Sequence, residues 1–175
     1  MKVNRCSTVV KGGRRFSFSA LVVVGNREGS VGVGFGKANG VPDAVEKGVK
    51  DARGKLEAVS LDGSTIPHPV VGKYGSARVV LLPAAPGTGV TAGATVRSVL
   101  DLCGVKDILT KSVGSHNPVN LVKATMNGLR TLRTRARTAS LRNVELEPAP
   151  AAQTAQSEDA ADAVAEAPAS EASGS

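Results

Sequence analysis

Between Ser30 and Lys37 every second residue is glycine, and this constrains the fold more than any other feature of the chain. Read as a strand, Val31, Val33 and Phe35 form one apolar face, while Gly32, Gly34 and Gly36 leave the other face bare. Glycine weakens a strand interior and marks a close approach by another backbone or by a ligand. Lys11, Arg14, Arg15 and Lys37 flank the bare face in sequence, so the expectation is a phosphate-backbone ligand. Simple relief of crowding in a twisted sheet fits the glycines equally well.

The rest of the chain arranges itself around this strand. A strand-like run ends at Thr8, Val9 and Val10, and a basic glycine turn (Lys11, Gly12, Gly13, Arg14, Arg15) leads into an apolar run from Phe16 to Val24. The glycine strand completes a three-stranded meander. Pro42 then marks a first helical turn, and Val41, Val45, Val49, Ala52, Leu56 and Val59 recur at helical spacing as one apolar stripe. Gly48 and Gly54 cost about 1 kcal/mol each in an exposed helix, so this helix is expected to lean on the sheet.

Leu61-Asp62-Gly63-Ser64 breaks the pattern. A second hairpin is expected from Thr65 to Val71 and from Ala77 to Leu82, with its turn at Gly72 to Gly75 and with Lys73 and Arg78 on its solvent side. A helix carrying Ala92, Val96, Val99, Leu100 and Cys103 on one face ends at Gly104, and a strand is expected from Val105 to Val113. Asn117 caps a last helix that opens with Pro118 and buries Leu121, Val122, Met126, Leu129 and Leu132. The fold class is α+β: a βββα domain over 1–61, a ββαβα domain over 62–134, a basic extension over 135–147, and a disordered Ala/Pro/acidic tail over 148–175.

Charge is segregated along the chain. All 22 Lys and Arg lie at or before Arg142 against eight acids, a body of +14, whereas from Val144 there are seven acids and no base. So basic a body points to a polyanion, most often nucleic acid. Phe16, Phe18, Phe35 and Tyr74 are the only aromatics, and the three phenylalanines sit on strand faces expected to be buried. Folded RNA read by shape and backbone fits that better than stacked single strands. Cys6 and Cys103 are too few and too far apart for a zinc site or a disulfide framework, and fit reduced thiols. No apolar run reaches a membrane-spanning length and no signal-peptide segment stands at the N-terminus, which reads as cytoplasmic and not membrane-bound.

Enzyme motifs are missing. His68 lies between two prolines and reads as structural, while His116 at a helix start suits either a phosphate contact or a plain surface position. No metal, cofactor or catalytic residue is expected. Two alternatives stay open: a nucleotide-dependent small-molecule kinase using the segment Gly87-Thr88-Gly89-Val90-Thr91-Ala92-Gly93, and a free double-stranded-RNA-binding regulator.

The ordered run Gly13-Arg14, Phe18, Ala20, Val23-Val24-Gly25-Asn26, Gly29, Val31-Gly32, Gly34, Gly36-Lys37-Ala38 resembles the signature of bacterial small-subunit ribosomal protein S5. Further landmarks follow in order: Val41-Pro42, His68-Pro69, Gly87-Thr88-Gly89, Ala92-Gly93, Gly104-Val105 and Gly114-Ser115-x-Asn117-Pro118. The resemblance spans roughly residues 3 to 132. It implies a double-stranded-RNA-binding-like first domain, and a second domain with a left-handed crossover. It also implies a structural role: binding small-subunit rRNA during assembly, supporting decoding accuracy through protein S4, touching protein S8, and lying near the side where mRNA enters. On this resemblance Lys11, Gly12, Gly13, Arg14 and Arg15 are the tip that reaches head rRNA. Arg5, Lys37, Gly114, Ser115, His116 and Asn117 are further expected rRNA contacts, to which Lys123 is added. Gly87, Thr88, Gly89 and Arg97 face S4. The tail after Pro148 is outside the family pattern.

Overall fold

The computed structural model describes residues 1–142. The tail expected over 148–175 and the end of the basic extension lie outside the described residues. Strands β1 (Lys2–Val10), β2 (Gly13–Gly25), β3 (Ser30–Ala38) and the short β4 (Glu57–Ala58) form an antiparallel sheet in that order, with helix α1 (Val41–Gly54) between β3 and β4. The second sheet runs β5 (Val70–Tyr74), β6 (Ala77–Pro83), β8 (Ile108–Gly114), β7 (Val90–Thr91). Its pairs are antiparallel except β7 with β8. Helix α2 (Ala94–Cys103) precedes β8, and α3 (Pro118–Arg130) and α4 (Arg135–Arg142) follow it. The α+β class holds, with two-residue strands β4 and β7 added to the expected order.

The bare glycine face is covered from within the chain, which overturns the expectation of a ligand there. A Cβ on Gly34 would lie 2.0 Å from the Gly48 carbonyl oxygen, and one on Gly36 would lie 2.0 Å from that of Ala44. The approaching backbone is α1. Its buried stripe is accordingly Ala44, Gly48 and Ala52, the smallest side chains available, not the valine stripe expected from periodicity. Val41 and Leu56 are exposed, and Leu56 and Val59 lie beyond the helix. Asp51 of α1 accepts a hydrogen bond from the Phe35 N–H (3.1 Å), tying the helix to an edge amide that the short β4 leaves unpaired.

The second unit repeats the device. Gly72 is a strand residue, not part of the turn, and a Cβ there would meet the Ala124 oxygen of α3 at 2.1 Å. Gly128 lies against Gly72 from the helix side. Pro67 and Pro69 cannot donate to a ladder, so strand structure starts only at Val70, while Ile66 plugs the core. Similarly β8 starts at Ile108, because the Lys106 and Asp107 amides donate to the Ser64 carbonyl (2.8 and 3.1 Å) instead of a neighbouring strand. Asn117 caps α3 as expected, accepting from the Val119 N–H (3.1 Å), and Gly104 ends α2 in the left-handed region at φ 98°.

Two cores result. Ala20, Val22 and Ala44 pack between the first sheet and α1. From the opposite face of that sheet, Leu21 and Val31 join Val96, Val99, Leu100, Ile108, Val122 and Leu129 in a larger core shared by both units. The layers therefore run α1, first sheet, α2 with α3, second sheet.

Backbone contact at the glycines predicts large penalties for one methyl group. Gly34→Ala and Gly72→Ala should each lower the unfolding free energy by about 1–3 kcal/mol. Gly54→Ala, where nothing lies within 4 Å, should be neutral or stabilising by up to about 1 kcal/mol. Urea titration of the full chain distinguishes them, and equal midpoints for Gly34→Ala and Gly54→Ala would contradict this packing.

Candidate nucleic-acid interface

Hairpin β1–β2 outruns the sheet that supports it. The pairing of β2 with β3 ends at Phe18 opposite Ala38, but β1 and β2 continue paired from Cys6–Ser17 out to Val10–Gly13. A two-stranded ribbon wet on both faces is marginally stable in water. Val9 (73 % exposed) and Phe16 (46 % exposed) sit on it without partners in the core, so the expectation that Phe16 is buried fails, as it does for Phe35 at 50 %. Alternation gave the correct faces, but the neighbouring layer stops short of these positions.

Register distributes charge over the whole ribbon. Arg14 faces the same side as Val9 and Phe16, and Arg15 the same side as Thr8 and Lys37. The Arg5 guanidinium lies 4.8 Å from the centre of the Phe16 ring, covering part of its exposed surface. Among the described residues no carboxylate pairs with Lys11, Arg14 or Arg15. These cations remain available to an external anion, and the arm is positive on both sides.

The second set of expected contacts lies in the other unit. Gly114 pairs with Ala77 at the end of β8, and a Cβ there would meet the Ser76 oxygen at 2.2 Å. The Asn117 side chain is committed to its cap, and the Ser115 hydroxyl accepts from the Asn117 N–H (3.3 Å). His116 is exposed. Lys123 projects from α3 with its ammonium 3.1 Å from the Tyr74 hydroxyl. With Lys73 and Arg78 paired across β5 and β6 and both exposed, this end of the second sheet is basic too. His68 is structural: its Nε2 accepts from the Arg133 N–H (3.2 Å).

The segment 87–89 behaves differently. The Gly87 and Gly89 amides both donate to Asp107 Oδ1, each at 3.0 Å. The amides that a nucleotide phosphate would need are already bonded to a carboxylate of the same chain, which removes the physical basis of the kinase reading. The Gly89 amide, then the Ser64 hydroxyl and the Gly87 amide hold the Asp107 carboxyl below its ordinary range. Arg97, one turn into α2, pairs with Asp101 at 3.6 Å on the surface. Asp107 and Ser64 were not picked out from sequence. The available signal was a lone acid placed directly before the buried strand residue Ile108, where an unpartnered carboxylate would be costly.

Arg130 forms a two-pronged ion pair with Glu57, joining α3 to β4 across the two units. Arg135, Arg137 and Arg142, in the expected basic extension, lie on helix α4, none of whose residues is buried. Burial pushes the Cys103 thiol up to about 11, which makes it inert, while Cys6 is exposed on the arm. Among the described residues no cluster of three metal-ligating side chains occurs, and no helix is long and apolar enough to cross a membrane.

Comparison with known proteins matches this arrangement in two parts. The family model for the N-terminal domain of ribosomal protein S5 covers residues 1–60, and that for its C-terminal domain covers residues 72–142. The chain is 56 % identical over 144 residues to the small ribosomal subunit protein uS5 of Rhodopirellula baltica, covering 82 % of this chain and 81 % of that protein. It is also 56 % identical over 146 residues to uS5 of Rubrobacter xylanophilus, covering 83 % and 73 %.

The Glu57–Arg130 pair carries a pH signature. Hydrogen bonding to Arg130 holds the Glu57 carboxyl below its ordinary value of 4.5, so its contribution is present above that value and lost as pH falls through the lower folded one. Because Arg130 is largely exposed, solvent screening limits the effect to at most about 1 kcal/mol. Glu57→Gln should therefore destabilise the chain slightly at neutral pH, with the difference closing as pH drops below 4.5. Urea midpoints measured against pH check this, and a gap that persists in acid would assign the effect to packing.

Proposed function

Given that the chain belongs to the ribosomal protein S5 family, we propose that it binds small-subunit rRNA through the β1–β2 arm as the small subunit assembles. The protein is a structural component of the small ribosomal subunit, not an enzyme. It works in the cytoplasm as part of the ribosome, in contact with rRNA and with other ribosomal proteins. The observation that carries the rRNA reading is the arm: a ribbon without core support, cationic on both faces, with no carboxylate partner among the described residues for Lys11, Arg14 or Arg15. A positive ribbon of this width suits insertion between phosphate backbones, and Gly12 and Gly13 let the chain approach them closely. Arg5 and Lys37 extend that contact along the sheet. Gly114, Ser115, His116, Asn117 and Lys123 form a second contact on the other unit.

Loop 87–89 and Arg97 contact protein S4, and through that contact the chain supports decoding accuracy near the side where mRNA enters. Protein S8 is a further neighbour. The first unit, 1–61, acts as the double-stranded-RNA-binding-like module, and the second, 62–134, is the ββαβα domain that carries the protein-facing loop beside its own rRNA contacts. What supports separate roles for the arm and the loop is their chemistry: cations on the arm without a carboxylate partner among the described residues, and a loop whose amides are already satisfied.

Sedimentation of a native lysate tests the assignment directly. Co-migration of this chain with the small subunit through a moderate salt wash is expected, and recovery in the light soluble fractions would favour a free RNA-binding regulator. For the arm, replacing Arg14 and Arg15 by Ala should weaken rRNA binding. It should also flatten the dependence of log K on log salt by about 0.7–0.9 per lost phosphate contact. An unchanged slope would move the RNA site off the arm.

A further inference from the structure

We propose that Asp107 is the positioning residue of loop 87–89, its carboxylate holding the loop as a fixed arch with no free amides that serves a protein partner and not RNA. This rests on the reading that the loop contacts protein S4. The arch is unusual in its backbone. Gly87 (φ 89°) and Gly89 (φ 74°) both lie in the left-handed region on either side of Thr88, and their amides converge on one oxygen of Asp107. Amides gathered in this way make an anion-binding nest. Here the anion comes from the chain itself.

Asp107 is in turn immobilised. It is 5 % exposed, its carboxylate also bonds the Ser64 side chain, and its own amide donates to the Ser64 carbonyl (3.1 Å). The next amide, Ile108, donates back to the Gly89 carbonyl (3.1 Å), which closes the arch onto β8. Thr88 at the crest is exposed, yet its hydroxyl is spent on the Ala85 carbonyl (2.8 Å).

The surroundings are poor in the cations that a phosphate backbone needs. In a body of +14, residues 83 to 96 contain no charged side chain at all. Leu82 and Leu109, paired across β6 and β8 beside this stretch, are 43 % and 40 % exposed. A rigid surface with apolar flanks, its cations confined to Lys106 and Arg97 at the edges, offers RNA little counter-charge and offers a protein side-chain contact. Rigidity is the functional point, because a loop frozen before contact loses no further entropy on binding.

The test uses the full chain, assembled into small subunits, as wild type, Asp107→Ala, Asp107→Asn and Thr88→Trp. Three properties are read: exchange of the Gly87 and Gly89 amides in the free chain, the salt at which protein S4 is washed off, and missense incorporation. Asp107→Ala should speed exchange of both amides by about ten- to a hundredfold, the loss of two hydrogen bonds. It should also lower the salt for S4 release and raise misreading several-fold, with rRNA affinity unchanged. Asp107→Asn keeps an acceptor oxygen and should restore all three. If Asp107→Ala frees the amides but leaves S4 retention and misreading unchanged while Thr88→Trp alters them, the positioning role falls and the S4 contact stands. If Thr88→Trp is also silent, the S4 contact itself falls. Amides that exchange as fast in the wild type as in Asp107→Ala would overturn the arch outright. Should Asp107→Ala fail to fold, Ser64→Ala removes one partner of the carboxylate. It should shift the same readings less far in the same direction, and no shift would count against the proposal.

Discussion

Backbone against backbone, without intervening side chains, is the contact on which this molecule is built. At Gly34 and Gly36 the strand meets helix α1 so closely that a single methyl group would overlap carbonyl oxygens of the helix. That approach fixes which helix residues face the sheet, and they are the small ones: Ala44, Gly48 and Ala52. It also explains how a chain with 2 % aromatic residues makes a solid interior. Where bulky side chains are scarce, packing density is reached by bringing main chains together. The same solution at Gly72, Ala124 and Gly128 shows that it is a rule of the molecule and not a local accident.

Because α1 takes the glycine face, the other face of the first sheet is left to carry the second unit. Leu21 and Val31 enter a core made mainly by α2, α3 and β8. The Arg27 and Gly29 amides donate to the Leu102 and Cys103 carbonyls (3.0 and 2.8 Å), and Gly25 and Gly104 again permit close contact, with Leu102 and with Arg27. Two units joined by a continuous apolar core hold their surface sites at a fixed separation. For a protein whose work is to hold RNA and protein neighbours in register, that rigidity is the useful property. The arm departs from it, since beyond Ser17 it is a two-stranded ribbon that β3 no longer supports.

The candidate surfaces separate by how their polar groups are satisfied. At the tip of the arm, Lys11, Arg14 and Arg15 have no carboxylate partner among the described residues, and on loop 87–89 even the backbone amides are taken. Much of the first surface was legible in sequence, because Lys11, Arg14 and Arg15 are contiguous and a glycine turn between strands is a local signal. The cap at Asn117 and the stop at Gly104 were legible for the same reason: each acts within a few residues of itself. The Asp107 anchor was not, since its amide partners lie 18 and 20 residues away and no spacing rule connects them. Nor was the pairing of Arg130 with Glu57, 73 residues apart.

From the sequence alone come the two-unit α+β order, the bare glycine face, the helix boundaries at Pro42, Gly104 and Asn117, the segregation of charge, and the motif run of the S5 family. All of these depend on local chemistry: alternation, capping, turn residues and charge. Tertiary structure decided what covers the glycine face, which aromatic residues stay in water, and whether Gly72 lies in a turn or a strand. It also decided that the 87–89 amides are closed to phosphate. Periodicity says which way a side chain points, but only packing says what it meets there, because the neighbour is supplied by a distant part of the chain.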